Sequence, residues 1–76
     1  MNIQEFIDQL DVVFEETNIT TLKPDTEFRQ LAEWDSMTAL SLIAMADENF
    51  NVRLTGEDIR NSVTIEDLYV KLKEKK

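Results

Sequence analysis

The sequence predicts an all-α fold: a small four-helix bundle with three longer helices, a short third helix, and a long loop between helices one and two. Three observations predict it. Apolar residues recur at helical spacing in separate stretches of the chain. With 1 Gly and 1 Pro among 76 residues there is little turn material for a many-stranded sheet. The chain is also near the lower end of what folds unaided, and with 0 Cys and 0 His no disulfide or thiolate–metal staple can support it. Packing alone must hold one domain, residues 1–76, and helices are the economical way to build so small a core.

Helix one is predicted from Asn2 to about Glu16, where Ile3, Phe6, Ile7, Leu10, Val13 and Phe14 keep helical spacing and Glu, Asp and Gln fill most of the positions between. From Thr17 to Trp34 the periodicity stops. This stretch is rich in Thr and Asn and contains Pro24, so it reads as a loop, with Leu22, Phe28 and Leu31 pinning it to the core and a helical turn in "DTEFRQLAE". Helix two is predicted from Ser36 to about Phe50, with Asp35 as its N-cap.

"NVRL" reads as a short extended connection. Thr55, with Asp58 three residues on, opens a brief third helix carrying Ile59. The last helix opens at "TIED", where Thr64 and Asp67 have the layout of a capping box, and Ile65, Leu68, Tyr69 and Leu72 form its buried stripe. Lys71, Lys73, Lys75 and Lys76 crowd its end, where the helix dipole favours positive charge.

Helix two is apolar on two faces. Met37, Leu40 and Ala44, with Asp47 and Glu48, follow one; Leu42, Ile43, Ala46 and Phe50 follow the other. Two such faces are more than one core needs. The first reads either as a docking surface flanked by acids or as ordinary core and scattered surface residues.

Composition excludes much chemistry. Without Cys or His, nucleophile pairs of the Ser–His or Cys–His kind are impossible, and no imidazole titrates near neutral pH. Carboxylates are spread over helix surfaces with no deep apolar pocket to split their pKa values, so the chain reads as no enzyme. "DENFNVRLTGED" has the length and acidity of a calcium loop, but Val52 occupies the sixth position, where the sharp turn needs Gly. No metal site is predicted. A net charge of −8 repels nucleic acid and anionic membranes and suits partners with basic patches, or serves solubility alone. No apolar run reaches the length of a membrane span, and "MNIQEFIDQL" lacks the layout of a signal peptide, which predicts a cytoplasmic protein.

Any reactive group must then come from elsewhere, and the stretch "EWDSMTAL" shows where one could be attached. Asp35-Ser36 before an amphipathic run is, for most proteins, a helix start and nothing more. Yet Ser36 falls at the mouth of a long loop, and a phosphate on its hydroxyl would gain from the unpaired backbone N–H groups and the positive end of the dipole. Both readings stand on the residues alone.

With "FRQLAEWDSMTALSLIAMADENFNV" between helix one and "TIEDLYVKL", the chain resembles the acyl carrier proteins, stand-alone phosphopantetheine-binding carriers, along nearly its whole length. Their usual triplet is Asp-Ser-Leu, and Met37 for Leu conserves volume. The resemblance implies that Ser36 takes 4′-phosphopantetheine from coenzyme A through a separate, magnesium-using phosphopantetheinyl transferase. It implies that Asp35 caps helix two and meets that enzyme. The arm's thiol would carry acyl groups as thioesters, which accounts for a carrier without cysteine. By the same resemblance Met37, Leu40, Ala44, Asp47 and Glu48 form the face gripped by acyl-loading and acyl-processing enzymes, and Leu42, Ile43, Ala46, Phe50, Leu54 and Leu68 line core and acyl pocket alike. The carrier is expected to be a monomer.

Thr38 and Ser41 stand where many fatty-acid carriers place acids, and Trp34 before the Asp-Ser pair is similar to carriers of specialised pathways such as polysaccharide modification. Trp34 also reads simply as a loop anchor. The competing reading is an unmodified interaction module of the same fold.

Overall fold

A computed structural model describes residues 2–76 and shows the expected all-α bundle. Its helices are α1 (Ile3–Gln9), α2 (Ser36–Phe50), α3 (Gly56–Arg60) and α4 (Ile65–Lys75), with 3-10 turns at Leu10–Val12, Ile19–Thr21 and Phe28–Gln30.

The first helix departs from the sequence expectation. Asn2 is its cap, accepting from the Glu5 amide, and α-helical structure ends at Gln9 rather than near Glu16. Beyond Gln9 the chain tightens into the Leu10–Val12 3-10 turn. The physical reason lies in the sequence that follows: paired β-branched Val12 and Val13, then Thr17, disfavour further α-helix. The tighter turn still brings Val13 and Phe14 into the core while leaving Val12 61% exposed.

Helix α2 ends where expected. Asn51 adopts the left-handed conformation (φ 56°), and the Val52 amide reaches back to the Ala46 carbonyl at 3.2 Å, closing the helix and turning Val52 and Leu54 inward. Helices α3 and α4 both open with full capping boxes, Thr55 with Asp58 and Thr64 with Asp67. A 2.7 Å ion pair from Lys75 to Asp58 ties the end of α4 to the start of α3, and the buried Ser62 hydroxyl donates to the Asp58 carbonyl.

The long loop is latched rather than free. Phe28 and Leu22 are buried, and Leu31 is partly buried against the core. The Ile65 and Glu66 amides, orphan donors of α4's first turn, bond to the carbonyls of Thr26 (3.0 Å) and Pro24 (2.8 Å). An antiparallel bridge pairs Glu27 with Thr64 beside them. The loop thus completes the cap of α4, and that pairing fixes its course across the bundle. At the centre Phe6 of α1 meets Phe50 of α2 (centroids 6.1 Å apart) and Tyr69 of α4 (6.2 Å), over a floor of Leu42, Ile65, Leu68 and Leu72.

Candidate functional site at the head of helix two

Trp34 delivers the loop to α2. Its ring meets Phe28 edge-on at 5.0 Å and Phe14 at 6.1 Å, so the anchor role read from the sequence is what the structure shows. The chain then extends at Asp35 (φ −155°, ψ −173°), whose Oδ1 accepts from the Thr38 amide at 2.8 Å. Thr38 is the buried polar residue of this turn. Its hydroxyl lies 2.8 Å from the Glu33 carbonyl and 3.0 Å from Asp35 Oδ1, joining helix to loop. The Thr38 amide and then its hydroxyl hold the Asp35 carboxyl below its ordinary pKa. The Glu33 carboxyl is lowered too, first by the Thr17 hydroxyl and then by the Glu16 amide, which donates to it at 3.1 Å.

This arrangement occupies Asp35 and leaves Ser36 alone. Ser36 is the first residue of α2, exposed, with a hydroxyl that has no hydrogen-bond partner among the described residues. The head of the helix is open on two sides of unlike character. One side is a groove of about 360 Å3 lined by carboxylates, Glu15, Glu16, Glu33 and Asp35, with Val12 and Met37 at its edges. The other is an apolar groove of about 480 Å3 between α2 and α3, floored by Trp34, Ala39, Leu40, Ile43 and Ile59 and bordered by Ser36, Arg29 and Arg60.

The residues expected on a partner face all lie on the outer side of α2. Met37 and Leu40 are 70% and 61% exposed, and Ala44, Asp47 and Glu48 are exposed beyond them. The six expected to line core and pocket divide. Leu42, Ala46, Phe50, Leu54 and Leu68 are buried in the core, and only Ile43 of the set borders the groove beside Ser36. Sequence reading missed the clasp made by Thr38, although a hydroxyl three residues after a capping Asp was a visible signal. It missed Arg29, Ala39, Ile59 and Arg60 as groove residues, because their meeting depends on how α3 packs. Among the described residues no group of side chains could hold a metal ion.

A helix cap clasped to the buried Thr38, beside an exposed and unengaged serine at the head of a helical bundle, is the arrangement of a carrier-type domain whose chemistry arrives by attachment. The family model for the phosphopantetheine attachment site matches residues 5–69. The chain is 33% identical over 67 residues to an acyl carrier protein of Kineococcus radiotolerans, covering 84% of this chain and 83% of that one. It is 27% identical over 59 residues to an acyl carrier protein of Myxococcus xanthus (75% of each chain), and 30% identical over 59 residues to one from an Arthrobacter species (75% and 73%). No solved structure matches. The chain therefore belongs to the phosphopantetheine attachment family of acyl carrier proteins: it is a carrier, not an enzyme, and its cofactor is covalently attached 4′-phosphopantetheine. The open, exposed head of α2 fits such a group, which supplies the thiol this chain lacks. Partners of such a carrier are a phosphopantetheinyl transferase and acyl-processing enzymes, and among the described residues no helix is long and apolar enough to cross a membrane.

Proposed function

We propose that Ser36 is the attachment residue and that the chain, as a single domain over residues 1–76, is a cytoplasmic monomer carrying acyl thioesters for a specialised pathway. The observation that carries the reading is the division of labour at the head of α2. Asp35 is spent on capping, with its carboxylate bound to Thr38, while the neighbouring Ser36 hydroxyl is exposed and unengaged. A phosphodiester there sits at the positive end of a 15-residue helix.

Met37, Leu40, Ala44, Asp47 and Glu48 form the face that partner enzymes grip, with exposed apolar residues at the top and acids below. The pathway is fatty-acid-like, polyketide or polysaccharide-modifying, and Thr38 supports one outside bulk fatty-acid synthesis. It stands where an acid would meet a partner arginine, yet it is buried and committed to the loop. The acyl group has a resting place in the apolar groove between α2 and α3, next to its point of attachment.

Intact mass after incubation with coenzyme A, magnesium and a broad-specificity phosphopantetheinyl transferase tests the reading. One phosphopantetheinyl group is expected on the wild type and none on Ser36→Ala. No gain on the wild type, with a control carrier modified, would leave an unmodified interaction module.

A further inference from the structure

Ser36 is delivered by a long loop, and a residue at a loop's end is held only as firmly as that end is tied. Glu33 makes the tie. Its Oε2 accepts from the Glu16 amide at 3.1 Å, and its carboxylate also takes the Thr17 hydroxyl, so the side chain reaches back to the residues with which the loop begins. Its own carbonyl accepts from the Thr38 hydroxyl at 2.8 Å, and that hydroxyl lies 3.0 Å from Asp35 Oδ1. One residue just ahead of the Asp35-Ser36 pair thus joins both ends of the loop to the first turn of α2.

An acid kept for solubility alone would stand in water. Glu33 is instead partly buried, and its Oε1 is shut off from solvent with no hydrogen-bond partner among the described residues. Its charge also repels that of Asp35. Both features cost free energy, and the bonds at Oε2 and at the carbonyl offset them. With the Glu16 and Thr17 end released, the stretch 33–35 is free to swing off Thr38, and the serine is then offered in many orientations rather than one. We infer that Glu33 is a positioning residue for the modification of Ser36. It acts through Thr38 and Asp35, holding the serine in the one presentation that a phosphopantetheinyl transferase binds. The inference rests on the reading of Ser36 as the attachment residue.

The experiment is steady-state kinetics of a broad-specificity transferase with saturating coenzyme A and varied carrier. Only correctly presented carrier binds, so loss of the tie raises KM and leaves kcat alone. Glu33→Ala is expected to raise KM at least about fivefold with kcat within about twofold of wild type. Glu33→Gln, whose amide oxygen can take over the bonds of Oε2, should restore most of the loss. Thr17→Val leaves the Glu33 charge in place and should move KM in the same direction, which decides the matter if Glu33→Ala does not fold. Thr64→Ala, destabilised at the start of α4, is the control for stability and should change neither constant. An unchanged KM in Glu33→Ala and Thr17→Val would overturn the inference. So would a Glu33→Gln variant as impaired as Glu33→Ala beside a normal Thr17→Val, for the transferase would then be meeting the charge and not the tie. Hydrogen exchange at the Thr38 and Ala39 amides, which bond to Asp35, gives a reading without the transferase. It should quicken in Glu33→Ala and Thr17→Val but not in Glu33→Gln, and unchanged exchange in the first two would also overturn the tie. Wild-type protein left unmodified by a transferase that works on a control carrier would sink the attachment reading alone, with exchange still deciding on Glu33.

Discussion

At the scale of single residues, the head of α2 works because neighbouring positions have separate duties. Asp35 caps, Ser36 is presented, and Thr38 binds both to the loop. Thr38→Val keeps the shape and deletes the hydroxyl, leaving the Glu33 carbonyl without this donor at a partly buried site. Loss of about 1 kcal/mol of stability is expected from chemical denaturation. The same variant should also be modified more slowly by the transferase, because Asp35 loses one of its two Thr38 contacts; an unchanged kcat/KM would show that the clasp serves stability only. Thr64→Ala removes the side-chain half of α4's capping box and is expected to lower stability by about 1 kcal/mol, with no effect on modification at Ser36.

At the scale of elements, the carboxylates that cap helices make stability depend on acid. Asp67 is held below its ordinary pKa by the Val63 and Thr64 amides, Asp58 by the Lys75 ammonium, and Asp35 by Thr38. In each case the folded value lies below the unfolded one. The stabilisation is therefore complete above the unfolded pKa and disappears as pH falls through the folded value. Melting temperature should hold between pH 7 and 5 and drop below about pH 4, near the ordinary Asp value. Asp67→Asn should flatten part of that drop, as followed by circular dichroism. The caps of α3 and α4 were legible in the sequence because Thr-x-x-Asp is a local pattern, and that of α2 because an Asp before an apolar-periodic run reads as an N-cap; so were the extent of α2 and the burial of Phe28. The end of α1 was not legible. Val13 and Phe14 keep the apolar spacing of a helix while their backbone leaves it, so periodicity reports which side chains are buried and not which turn carries them. The groove beside Ser36 was hidden for a related reason: Arg29, Ile43 and Ile59 lie on three elements, and no spacing along the chain encodes their meeting.

At the scale of the whole molecule, a net charge of −8 is carried on a body only 28 × 24 × 20 Å across. Such crowding of like charge destabilises the compact state, and screening relieves it. The melting temperature is expected to rise with added sodium chloride or magnesium, more in the first 0.2 M than beyond it, in line with the shortening Debye length. A melting temperature indifferent to both would show that the carboxylates are spaced widely enough not to repel. The latch of the loop on α4 adds a second global expectation. The Ile65 and Glu66 amides should exchange with solvent at the rate at which the loop lifts, so Phe28→Ala, which loosens the loop, should accelerate both.

Trp34 is the protein's sole tryptophan, two residues before Ser36, and its indole is wedged between Phe14 and Phe28 while forming one wall of the groove. The molecule consequently contains its own optical probe. Ultraviolet emission from this one ring senses the water and hydrocarbon around it, so cargo entering or leaving the groove should shift the wavelength and intensity of that light. Occupancy could then be followed second by second in unlabelled protein.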